Sequence, residues 1–140
     1  MIGNVLLDAG PLAALVNPRD AWHDWVRSQF ADIRPPLATC EAVLSEACFL
    51  ARRTHGGVDG ILSMVDYGVI ELGWTLKDHF GEVAALMRRY ANVPMSVADA
   101  CLVRMSELTS DAVVLTLDGD FRIYRRHRRQ RIPLLIPQEQ

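Results

Sequence analysis

The sequence predicts an α/β fold, a three-layer α/β/α sandwich with a mainly parallel central sheet. Short, nearly continuous apolar runs, "NVLLD", "GVIELG", "AVVLTL" and "IPLLI", alternate along the chain with longer stretches of helical period. Strands of that composition need both faces covered, as helices do for a parallel sheet. At 140 residues, half of them apolar, the chain suits a single domain over 1–140 with a real core.

The elements follow in order. "NVLLD", residues 4 to 8, reads as a buried strand closed by Gly10-Pro11 and followed by a helix that opens with proline. Pro18 ends that helix, and Asp20 is a candidate cap for a second one through "AWHDWVRSQF", where Trp22, Trp25, Val26 and Phe30 share a face. A short strand at Leu37 and Ala38 leads to Thr39 as candidate N-cap of a helix reaching about Arg53, broken by Gly56 and Gly57. A helix over Val58–Tyr67, the strand "GVIELG" and the amphipathic helix "LKDHFGEVAALMRRYA" come next. A further helix starts near Ser96, "AVVLTL" is a strand, "FRIYRRHRR" reads as a helix, and "IPLLI" is the last strand.

Composition excludes several classes. No stretch reaches the roughly 18 uncharged apolar residues of a membrane span, and the N-terminus lacks a signal-peptide pattern, so a cytoplasmic protein is expected. Cys40, Cys48 and Cys101 have no CxxC spacing and suit reduced packing residues. His23, His55, His79 and His127 form no HxxxH pair, which argues against a zinc site or a histidine-based triad. The net charge is -2, but unevenly spread: from Arg122 onward six arginines face one acid, Glu139, while the rest of the chain is acidic.

Four acids stand where a fold alone does not require them. Asp8 ends the first strand and Asp118 ends the strand of "VVLTLDGDF", so both belong at the carboxyl edge of the sheet, where open parallel sheets bind ligands. Glu46 has Ala42, Val43, Phe49 and Leu50 one turn away and so interrupts an apolar stripe. Asp99 has Met95, Leu102 and Val103 around it at helical spacing. Each also has a structural role open to it: turns for Asp8 and Asp118, a capping box with Ser96 for Asp99, an ion pair with Arg53 for Glu46. Independent turn and cap roles do not predict all four together. A hard divalent cation, Mg²⁺ or Mn²⁺, does, because it prefers carboxylate oxygens and leaves coordination sites for a phosphate.

"LLDAGPLAALVNPRDAWHDW", "LATCEAVLSEACFLARR", "PMSVADACLVRMSE" and "VVLTLDGDF", in this order and spacing, resemble the motifs of PIN-domain ribonucleases, and especially the toxins of VapBC toxin-antitoxin modules. The resemblance covers almost the whole chain and places the family's acidic quartet on Asp8, Glu46, Asp99 and Asp118, with Asp120 as an accessory metal ligand. One departure is Ala9, where many relatives carry Ser or Thr after the first acid; Thr116, and secondarily Ser96, are the candidates to support the acids instead.

The resemblance implies an endoribonuclease in which one or two Mg²⁺ or Mn²⁺ ions activate water against an RNA phosphodiester, without a protein nucleophile. It also implies a homodimer and an antitoxin whose C-terminal segment covers the site, with Trp22, Trp25 or Phe30 as candidate contacts. Arg122, Arg125, Arg126 and Arg129, at helical spacing, are candidates to hold the RNA backbone, a solvated helix face or contact with an acidic partner being the alternative. A degenerate PIN-like module that binds protein or RNA without catalysis is the rival reading. A haloacid-dehalogenase-like phosphatase lacks its second acid two residues after Asp8, and a receiver domain its lysine pocket.

Overall fold

The computed structural model describes residues 1–138; Glu139, counted above in the basic tail, and Gln140 lie outside the described residues. Five short strands form one sheet: β1 (Val5–Leu7), β2 (Leu37–Ala38), β3 (Ile70–Glu71), β4 (Val113–Leu115) and, last in the chain, β7 (Leu134–Leu135). Their order is β3-β2-β1-β4-β7, and every neighbouring pair is parallel, with Leu7 opposite Leu115 and Leu6 opposite both Ala38 and Val114. Six helices flank the sheet in a three-layer α/β/α sandwich: α1 (Ala9–Leu15), α2 (His23–Asp32), α3 (Glu41–Leu50), α4 (Gly57–Asp66), α5 (Phe80–Arg89) and α6 (Val97–Leu108).

Burial explains the apolar runs. All three residues of β1 are buried, as are Val114 and Leu115 of β4, because helices cover both faces of these central strands. Helix α6 is the most enclosed, with eight buried residues from Ala98 to Ser106, packed against α5, α3 and β1. Small side chains such as Ala47 and Ala100, both fully buried, let helices approach closely. Chain order reverses between β1 and β4: from β1 the chain runs to β2 and β3 on one side, and β4 and β7 extend the other. That switch point opens a crevice at the carboxyl ends of the two strands.

The structure corrects several boundaries. Helix α1 begins at Ala9, not at Pro11, because the Asp8 side chain caps it; Pro11 then occupies the first turn, where its missing N–H costs nothing. Asp20 does not cap α2 but closes the preceding turn by accepting from the Trp22 amide at 2.8 Å. Thr39 does not cap α3 either. Its buried hydroxyl donates to the Leu7 carbonyl at 2.7 Å, tying β2 to β1, and Cys40 takes the cap position. Helix α3 ends at Leu50, one turn short of Arg53.

The largest correction concerns "FRIYRRHRR", which is not a helix. A 3₁₀ turn over Gly119–Arg122 gives way to an antiparallel hairpin of β5 (Arg125–Arg126) and β6 (Gln130–Arg131), with His127 and Arg128 at positive φ in its loop. Tertiary demands override the local pattern: Phe121 and Tyr124 enter the core, and Arg126, 9 % exposed, donates to the carbonyls of Ser106 (3.1 Å) and Ser110 (2.9 Å). Those bonds satisfy backbone acceptors at the end of α6. Arg126→Met, which keeps the stem and removes the donors, is expected to lower stability by about 2 kcal/mol, read from the urea midpoint at unchanged slope.

Candidate active site

Asp8 and Asp118 stand directly after β1 and β4, and one hydroxyl joins them. Thr116 Oγ1 donates to Asp8 Oδ2 at 2.7 Å and accepts from the Asp118 amide at 2.9 Å. The second Asp8 oxygen accepts from the Ala9 amide at 2.8 Å, the N-cap bond of α1. Asp118 Oδ1 accepts from the Asp120 amide at 2.9 Å and so caps the 3₁₀ turn. The turn and cap roles open to these residues are therefore real. They also fix the carboxylates at the switch point.

Asp99 lies in the first turn of α6, with its amide donating to the Ser96 hydroxyl at 3.0 Å. Its carboxylate is committed elsewhere: the Tyr124 hydroxyl donates to Asp99 Oδ2 at 2.8 Å. Tyr124 is wholly buried and wedged edge-on against Tyr90 and Phe121, with ring centroids 5.2 Å away in each case. Sequence reasoning missed this residue. A buried tyrosine hydroxyl needs a partner, but nothing local says that the partner is 25 positions away.

Glu46 departs from expectation. It is exposed, on the face of α3 that also carries the exposed Phe49 and Leu50, and Arg53 makes no ion pair with it. Of the apolar residues around it, Val43 is buried in the core and Ala42 packs against it, while Phe49 and Leu50 are exposed and form a rim. From that rim Glu46 lines a cleft of about 410 Å³ together with Asp8, Gly10, Leu50, Asp99 and Asp118. Four acids distant in sequence thus border one cleft, and no Lys, Arg or His among the described residues lines it. Asp120 stands outside the lining, two residues beyond Asp118.

Electrostatics in the cleft are strained. Burial pushes the Asp8 carboxyl up to about 7; its hydrogen bonds from Thr116 and Ala9 oppose the rise, and the charges of Asp99 and Glu46 add to it. Asp99 is raised in the same way by burial, against the Tyr124 hydrogen bond, with Asp118 adding repulsion. Asp120 is raised by desolvation and by Asp118. An all-oxygen donor set in this state fits a hard divalent cation, which would relieve the repulsion. Among the described residues no three His, Cys, Asp or Glu side chains converge as tightly as a chelating set, so ligation through water suits the arrangement better than direct contact by every acid.

The other candidates are not among the described residues that line the cleft, although the Arg122 guanidinium stands beside Gly119, which does. Arg126 is buried under α6, and Arg125 Nη1 donates to the carbonyls of Arg122, Ile123 and Tyr124. Arg122 donates to the Pro137 carbonyl, and Arg129 is exposed on the hairpin; without a helix, the four arginines form no common rail. Trp22, Trp25 and Phe30 are half-buried rather than exposed, the last two packed against the core.

A sandwich with acids gathered at this switch point defines a class. The PIN domain family model matches residues 5–126, and the chain belongs to that family. Among solved structures, the fold is similar to that of VapC20 of Mycobacterium tuberculosis, a toxin that cleaves the sarcin-ricin loop. The TM-score is 0.73, with 23 % identity over 83 % of this chain and 91 % of that one. No curated protein sequence matches significantly.

Proposed function

We propose that the protein is an endoribonuclease that hydrolyses RNA phosphodiester bonds in the acidic cleft with Mg²⁺ or Mn²⁺, acting as the toxin of a VapBC-type pair. One observation carries the reading: Asp8, Glu46, Asp99 and Asp118 border one cleft, and burial holds two of them above the usual carboxylate range. The likeness to a sarcin-ricin-loop-cleaving toxin supports it.

Asp8, Asp99, Asp118 and Glu46 would hold the metal directly or through water, with Asp120 as accessory. Bound there, the ion supplies a water of lowered pKa and charge stabilisation at the phosphate. The chain's own part is orientation. Thr116 holds Asp8 and the Asp118 backbone together, and Tyr124 holds Asp99. Glu46, exposed and without a hydrogen-bond partner among the described residues, is the acid placed to accept a proton from the attacking water. Thr116→Val is expected to weaken Mn²⁺ binding and cleavage by about 10–100-fold with the fold retained, measured by calorimetric titration and single-turnover rates.

Under this reading the partners are RNA, a second copy of the chain and an antitoxin whose C-terminal segment covers the cleft. A toxin acting on cellular RNA works in the cytoplasm, and no helix among the described residues is long and apolar enough to cross a membrane. The rival is a non-catalytic PIN-like binding module. Incubation with structured RNAs, a sarcin-ricin stem-loop among them, separates the two. Discrete cuts with Mn²⁺ or Mg²⁺ and none in chelator support the nuclease; no cut in any RNA supports the module.

A further inference from the structure

RNA carries a charge at every nucleotide, and an acidic cleft repels it outside the metal itself. Of the arginines beyond Asp120, Arg125 and Arg126 are committed to backbone carbonyls. A second cleft, of about 770 Å³, adjoins the first: Leu50 lines both. Its walls include Asn17, Arg19, Arg53, Thr54 and His55, and among the described residues no Asp or Glu. The side chains of Arg19, Arg53 and His55 make no hydrogen bond or ion pair among the described residues. Two guanidinium forks without a side-chain partner among the described residues thus stand beside an acidic cleft, in a geometry that suits phosphate.

We propose that this second cleft binds the RNA backbone, with Arg19 and Arg53 clamping a phosphate that flanks the one being cut. The inference rests on the ribonuclease reading and names the surface that seats its substrate. Guanidinium matches phosphate in a two-pronged geometry, and a phosphodiester chain held at the acidic cleft carries its next phosphates past Leu50. The platform is rigid on both sides. In the α1–α2 loop, Asn17 Oδ1 accepts from the Arg19 amide at 3.1 Å and the Asp20 amide donates to the Asn17 carbonyl at 3.0 Å. In the α3–α4 turn, the Thr54 amide donates to Ala51 and the Gly57 amide to Thr54, each at 3.0 Å. Gly56, at φ +67°, allows that turn, and the early end of α3 at Leu50 puts Arg53 there instead of beside Glu46. Fixed loops reduce the ordering cost of gripping a phosphate.

The test uses fluorescence anisotropy of a labelled RNA stem-loop on an Asp8→Asn background, which removes cleavage, with and without Arg19→Ala and Arg53→Ala. Affinity is expected to fall about tenfold per arginine near 0.1 M salt, and the slope of log affinity against log salt to become shallower by about one per arginine. Arg19→Lys with Arg53→Lys should restore the slope but only part of the affinity, which a folding defect would not do. In the otherwise native chain the double alanine variant should raise KM with kcat and Mn²⁺ binding little changed. If the native chain cuts RNA and the double variant binds and cuts it with the same slope, the clamp is overturned and the ribonuclease reading stands. Loss of RNA binding through the arginines in a chain that cuts no RNA supports the clamp and removes the ribonuclease reading. Unchanged RNA binding with lost polyglutamate binding overturns the clamp in favour of an acidic peptide.

Discussion

Asp8→Asn is expected to lower the single-turnover rate of RNA cleavage by about 10³-fold, equivalent to about 4 kcal/mol of barrier, with folding and RNA binding retained. The substitution is close to isosteric, and asparagine keeps the oxygen that accepts the Ala9 amide, so α1 retains its cap. What disappears is the negative charge at the switch point, on the carboxylate that Thr116 orients. A loss of tenfold or less would mean that Asp8 serves α1 alone.

In chelator the protein is expected to lose stability as pH rises from about 4 to about 7, by about 4 kcal/mol from Asp8 alone. The sign follows from the raised carboxyl. Below 3.8 folded and unfolded chains both carry the proton. Between 3.8 and about 7 the unfolded chain releases it while the folded chain keeps it, so stability falls as pH rises, and above about 7 the buried charge remains at its full cost. Asp99, raised by the same burial, adds to the loss. Urea denaturation in chelator from pH 5 to 8 should show this decline, Asp8→Asn should flatten it, and Mn²⁺ at a hundred times its dissociation constant should return about 2.7 kcal/mol at pH 8. A chelator-treated protein whose stability rises over that range would contradict a desolvated acid cluster.

How much of this was legible in the sequence depends on how far each feature rests on local period. Asp8 and Asp118 could be placed because nearly continuous apolar runs name the strands and the acids close them; Asp99 because the wheel of α6 turns it inward. Glu46 stands at the edge of an apolar stripe whose Val43 and Ala47 are buried, while Phe49 and Leu50, exposed at 60 % and 50 %, carry the same pattern onto the cleft rim, so period alone does not show that Glu46 is exposed. Tyr124 and Arg126 were out of reach, since their partners lie 25 and about 20 residues away and pull an arginine-rich segment of helical spacing into a hairpin. No glycine marks the positive φ of His127 and Arg128 that turns it. Arg53 lines the second cleft and makes no ion pair with Glu46 among the described residues, because α3 stops a turn early.

Calorimetric titration of Mn²⁺ into the native chain and into Asp8→Asn at pH 7.5, with RNA cleavage followed on the same samples, tests most directly whether the acids form a catalytic metal site. Saturable binding by the native chain, lost together with cleavage in Asp8→Asn, is the predicted result. Cleavage that persists in chelator, or equal Mn²⁺ binding by both proteins, would contradict it.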